Sequence, residues 1–109
     1  MATENTPFID GPRPQLDAAR AERSLEYIAV SVEENEYDIV KLCEGVVAYT
    51  VRIDPLNCDC GDAVYHNAIC KHLIAALYAA GDKEAVGLCH EALEFLPDLR
   101  LIRAENGVT

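Results

Sequence analysis

Four residues near the middle of the chain constrain its fold more than anything else in it. Cys58 and Cys60 stand two apart, and after nine intervening residues Cys70 and His72 again stand two apart. Three thiols and an imidazole form a tetrahedral Zn²⁺ donor set. In an extended segment, residues two apart point the same way, so Cys58 and Cys60 can face one ion. In a regular helix, residues two apart diverge by about 200°. Cys70 and His72 therefore cannot both lie inside a helix and bind the same ion. The pattern predicts Cys70 at a helix N-cap and His72 in the first turn. Ile69 and Ile74 then occupy the two positions of a hydrophobic staple. The positive end of the helix favours a thiolate at Cys70. Gly61 lets the backbone turn tightly after Cys60. Three thiolates and Zn²⁺ sum to −1, and Lys71 lies beside them to offset that charge.

The flanking segments predict an α+β fold. Residues 1–14 hold Pro7, Gly11, Pro12 and Pro14 and no periodic pattern, whereas 15–23 favour helix. We read 1–23 as a flexible N-terminal arm carrying a short helix. From Leu25 the chain turns β-branched and aromatic, with Ile28, Val30 and Val32 on one side of a strand. A polar turn at 33–36 leads to a second strand, with Tyr37 and Ile39 on one face and Val40 and Leu42 on the other. After Glu44-Gly45 a third strand alternates Val47, Tyr49, Val51 and Ile53 inward against Thr50 and Arg52 outward. The expectation is a three-stranded antiparallel β-meander over 25–53, then the zinc knuckle at 58–72, then two C-terminal helices. The first helix runs into Gly81. The second is capped by Asp82 and continues to about Leu96, where Pro97 stops it. Residues 24–97 form the domain, and 98–109 are a tail with little signal.

Composition narrows the partners. In 109 residues there are 19 Asp and Glu against 9 Lys and Arg, a net charge of −10. That argues against a polycation that coats nucleic acid or an anionic membrane. No apolar run reaches a membrane span, and the N-terminus has no basic, then apolar, leader pattern, so a cytoplasmic protein is expected. The odd count of five cysteines favours thiols or metal ligands over disulfides.

The string NCDCGDAVYHNAICKHLIAAL resembles the SWIM-type zinc finger. That family has Cys-x-Cys, a variable loop and Cys-x-His between a strand and a helix. Cys58, Cys60, Cys70 and His72 match its four ligand positions, and Tyr49 and Val51 its Tyr-x-Val strand. Ala63 stands where the family often has an aromatic, and Ile69 where it has a proline. Val64 and Tyr65 lie one register later than that aromatic. The resemblance implies one structural zinc, and an interaction module that binds proteins or DNA. Few lysines (Lys41, Lys71 and Lys83) beside many acids also resemble proteins of salt-loving microbes, such as a halophilic archaeon or its virus.

Other candidates carry less chemistry. His66 reads as a solvated loop histidine. Cys43 and Cys89 read as buried small apolar residues, and with His90 they lack a fourth ligand for a second metal. Asp59 and Asp62 read as exposed. A redox pair at Cys58 and Cys60 lacks the usual two-residue spacing and helix start. No nucleophile triad or phosphate loop is present, and four protein ligands close the zinc sphere to substrate. No enzyme and no small-molecule substrate are expected. The expectation is a zinc-binding module that docks on a protein partner in DNA transactions or transcription. Direct DNA or other nucleic-acid binding through Arg20, Arg23, Arg52 and Lys71 is the alternative. The protein-docking reading expects an exposed apolar patch near Leu88–Phe95.

Overall fold

A computed structural model describes residues 14–42, 44–54, 56–61, 68–105 and 107. Helix α1 (Ala18–Ser24) starts at Asp17, whose carboxylate accepts the Arg20 amide N–H at 2.9 Å. Four strands follow: β1 (Tyr27–Glu33), β2 (Glu36–Lys41), β3 (Val47–Ile53) and β4 (Leu56–Asn57). They form one antiparallel sheet in the order β1-β2-β3-β4. Three helices complete the described chain: α2 (Lys71–Ala80), α3 (Lys83–Glu94) and α4 (Pro97–Glu105).

The sheet is thus an antiparallel meander, but with four strands among the described residues rather than the expected three. The fourth is a two-residue pairing, Ile53 to Leu56 and Arg52 to Asn57. A strand that short has no periodicity to read. The helix count also differs, because the tail beyond Leu96 holds α4. Pro97 does end the previous helix, but it also sits at the first position of the next. There its missing N–H costs nothing and its fixed φ is already helical.

One face of the sheet is covered by helices. Ile39 and Val51 lie beneath α2, whose Leu73, Ile74 and Ala76 are fully buried. Leu16, Ala21 and Leu25, from the segment around α1, join the same core. The Leu16 N–H donates to Glu84 Oε2 at 3.2 Å, which ties the start of the described chain to α3. Gly81 closes α2 in the left-handed region at φ 87°, and Asp82 caps α3 by accepting the Ala85 N–H at 3.1 Å.

Among the described residues, no helix covers the other face of the sheet. Ile28, Val40 and Val47 form a cross-strand row there, with Val30 beside it. Val47 was expected to point inward with Tyr49. It is instead about half exposed, because the β2–β3 register shifts between Ile39 and Val40. Tyr49 pairs with Ile39 while Val47 pairs with Val40, so Ala48 is an extra residue that turns Val47 to the outer face. Val30 and Val32 are exposed as well.

Replacing Asp82 with Ala removes the α3 cap. We expect a loss of about 1 kcal/mol in chemical denaturation of the zinc-loaded protein, with the circular dichroism spectrum otherwise unchanged.

Candidate metal centre

β4 and α2 bring the four sequence-predicted ligands together. Cys58 follows directly on β4, and Gly61 follows Cys60. Cys70 is the N-cap of α2, with extended backbone (φ −74°, ψ 171°) and no side-chain capping hydrogen bond. Its sulfur lies in the cluster. His72 sits one turn-position into α2. Ile69 and Ile74, the staple pair, are both buried in the core.

The ligand atoms of Cys58, Cys60, Cys70 and His72 all lie within 4.8 Å of one another, and all four residues are buried. The Cys58 and Cys70 sulfurs stand 3.9 and 3.8 Å from His72 Nδ1. A tetrahedral Zn²⁺ with ordinary Zn–S and Zn–N bonds separates such atoms by about 3.6 Å. The cluster fits one structural Zn²⁺, with Nδ1 as the histidine's donor atom.

The imidazole is held by aromatic neighbours. Tyr27 meets it edge-on with centroids 5.1 Å apart, and Tyr49 lies against it at 4.4 Å. These two tyrosines come from β1 and β3, so the sheet orients a ligand carried by the helix. Lys71 Nζ stands 5.5 Å from the Tyr27 ring centroid. Tyr27 escaped the sequence reading because it is distant in sequence from the ligands. Its only signal was an aromatic opening a β-branched run.

The thiols are unequal even before a metal binds. A hydrogen bond from Cys58 is the main influence that holds the Cys70 thiol down to about 4. Burial opposes this, while His72 and the Leu73 backbone N–H add to it. Cys58, the donor in that bond, is pushed up by the same contact with Cys70 and by burial.

Arg20, Arg23 and Lys71 line a hollow of about 180 Å³ with Cys60, Cys70 and His72. Arg20 is also 3.8 Å from the Asp17 carboxylate. Arg52 does not join this group. It pairs with Glu36 at 2.7 Å across the β2–β3 ladder.

The remaining sequence candidates lie elsewhere. Cys43, Asp62 and His66 fall outside the described residues, as do Ala63, Val64 and Tyr65. Asp59 is exposed. Cys89 is fully buried, 3.6 Å from Ser24 Oγ, and burial pushes its thiol up. His90 is exposed and packs edge-on against Tyr78. Among the described residues, the Cys58–His72 group is the one cluster with metal-ligand geometry.

Residues 49–81 match the family model of the SWIM zinc finger. The match begins at Tyr49 in β3 and ends at Gly81, the C-cap of α2. It therefore covers the strand, the knuckle and the helix that the ion would join. No curated protein and no solved structure matches the chain.

The purified protein should carry one zinc per chain by elemental analysis. Cys70→Ser should reduce that stoichiometry several-fold and lower the melting temperature, because metal binding is folding free energy here. Acidification should release the ion from the wild type, since protons compete for His72 Nδ1 and the thiolates. A zinc-sensitive dye would follow that release during a pH titration.

Proposed function

We propose that this zinc-binding module docks on a protein partner involved in DNA transactions or transcription. The observation that carries the reading is the bare outer face of the sheet. On it Val30 is 45% and Val47 49% exposed. On this face Ile28, Val40 and Val47 form a cross-strand aliphatic row with Val30 beside it, next to the Asp38–Thr50 and Glu36–Arg52 pairs, in a protein of net charge −10. An exposed aliphatic row offers a partner apolar surface to cover. A partner with an aliphatic surface of its own fits such a face, and a phosphate backbone does not. The patch differs from the one expected near Leu88–Phe95. There Leu88 packs against the core, while Phe95 stands exposed.

The four-residue donor set leaves no position on the ion for substrate, so we read the protein as non-enzymatic. The link to DNA transactions rests on the likeness of residues 49–81 to the SWIM finger. The acid excess and scarcity of lysine fit a cytoplasm at high salt. No helix among the described residues is long and apolar enough to cross a membrane.

Direct nucleic-acid binding is the second reading. It is favoured by the hollow where Arg20, Arg23 and Lys71 meet beside the cluster. Three phosphate contacts would give a salt slope near −0.9 per contact, or about −2.7.

The two readings separate in one experiment. Tagged zinc-loaded wild type, Val30→Glu and Val47→Glu are exposed to native extract at working salt, with and without nuclease. Both substitutions lie on the surface and should change stability by no more than about 0.5 kcal/mol. We expect a protein that survives nuclease with the wild type and is lost several-fold with both variants. Retention by both variants would remove the sheet face from consideration. Recovery that collapses with nuclease would move the activity to nucleic acid, with Arg23→Gln and Lys71→Gln as the next variants.

A further inference from the structure

β1 lies at one edge of the sheet, and among the described residues only β2 pairs with it. The direction of its backbone groups can be read residue by residue. The Glu26 carbonyl accepts the Leu42 N–H at 2.9 Å, towards β2. Lys41, opposite Tyr27, donates its N–H away from β1, to the Val46 carbonyl at 3.2 Å. Tyr27 is therefore a non-hydrogen-bonded position of the β1–β2 ladder, and its own N–H and C=O point outward. Arg103 Nη1 takes that carbonyl at 3.0 Å, and it also donates to the Leu25 carbonyl at 2.9 Å. Alternation puts the N–H and C=O of Ala29 and Ser31 on the same outer side. Among the described residues no strand or helix backbone meets them. Edges of this kind are normally blunted by Lys, Pro or a covering element. β1 contains neither residue, and its one charge, Glu33, lies beyond the register shift that follows Ser31. Val30 and Ser31 are exposed. Between the Arg103 cap and the shift, the regular edge is open at 29–31.

Open N–H and C=O groups in extended chain recognise another extended backbone. We infer that the β1 edge pairs with β1 of a second copy of this chain, antiparallel, about a two-fold axis at Val30. The register follows from which groups are open. Centring on Val30 sets Ala29 opposite Ser31 of the second copy, and Ser31 opposite its Ala29. Each then exchanges both backbone hydrogen bonds with the residue it faces. Centring on Ala29 would call on the Tyr27 carbonyl, which Arg103 holds. Centring on Ser31 would call on Glu33, beyond the register shift. At the axis the two Val30 residues form a close pair on the outer face, so the aliphatic rows of the two copies join. On the helix-covered face Ala29 meets Ser31, both small. Residues 27–32 carry no charged side chain, so the −10 of each copy acts from a distance, where salt screens it. The contact is the same patch on both copies, and it uses up the β1 edge of each. The inference rests on the strand edge, and it stands whether or not the outer face docks a protein.

The test is sedimentation of zinc-loaded full-length protein from about 10 μM to about 1 mM, the range of a small interface, at about 0.1 M and 1 M salt. The expected mass rises with concentration from the 11.9 kDa of one chain towards twice that value. Pairing should tighten several-fold at the higher salt. Hydrogen exchange locates the contact. The Ala29 and Ser31 amides should exchange several-fold more slowly at the high concentration than at the low one. Ser31→Pro removes an N–H that no strand of the single chain uses, so the fold should survive and the dimer should be lost. Val47→Glu changes the outer face away from the edge and should still dimerise, which separates this contact from the docking surface. The exchange measurement uses the wild type, so it decides the question even if Ser31→Pro misfolds. A single-chain mass at every concentration and salt would overturn the inference. So would a dimer without added protection at Ala29 and Ser31, a folded Ser31→Pro protein that still dimerises, or loss of the dimer in Val47→Glu.

Discussion

Two helical residues two apart cannot both reach one tetrahedral ion, and the architecture around the cluster follows from that restriction. Cys70 escapes it by standing outside α2 as the N-cap, where its backbone is still extended. His72 then needs only the first turn. The other pair has no such difficulty, because β4 delivers Cys58 in extended chain. A metal that takes two ligands from each side therefore joins a strand end to a helix start. The remainder of α2 runs on into the core, where Leu73, Ile74 and Ala76 are fully buried.

The sheet contributes to the cluster by more than supplying β4. His72 is a helical residue, but Tyr27 of β1 and Tyr49 of β3 set its ring plane. Ring orientation decides whether Nδ1 faces the sulfurs, so packing between sheet and helix becomes ligand geometry. Metal binding and sheet–helix docking therefore share the same contacts at His72. A 109-residue chain with one core gains proportionately more from such coupling than a larger domain would.

The ligand set, the N-cap role of Cys70, the Gly81 stop and the Asp82 cap were legible because each rests on local chemistry within a few residues. The meander was legible from alternation, but its outer face was not. Alternation assigns residues to two faces without saying which is covered, so Ile28 and Val30 shared a side that proved to be the open one. Val47 changed faces through the extra residue Ala48, and a bulge leaves no mark in the period that precedes it. β4 was too short to show a pattern, and α4 was hidden behind a proline that ends one helix and begins another. Tyr27 and Arg103 were illegible for a different reason. Their roles depend on partners 45 and 78 positions away in the chain.

The placement of charge has a common logic. With 9 basic residues against 19 acids, cations are scarce, and three of them, Arg20, Arg23 and Lys71, meet at the cluster. Arg20, Arg23 and Lys71 surround a set of thiols that becomes a net −1 with zinc, so one of the three suffices to balance the loaded cluster. Asp17 answers a second, at Arg20. One positive charge remains over the cluster, which is too few for tight, purely electrostatic contact with a phosphate backbone, where several contacts act together. Scarcity of cations around the knuckle and uncovered valine on the sheet are thus two independent supports for the protein-docking proposal, one from charge and one from packing.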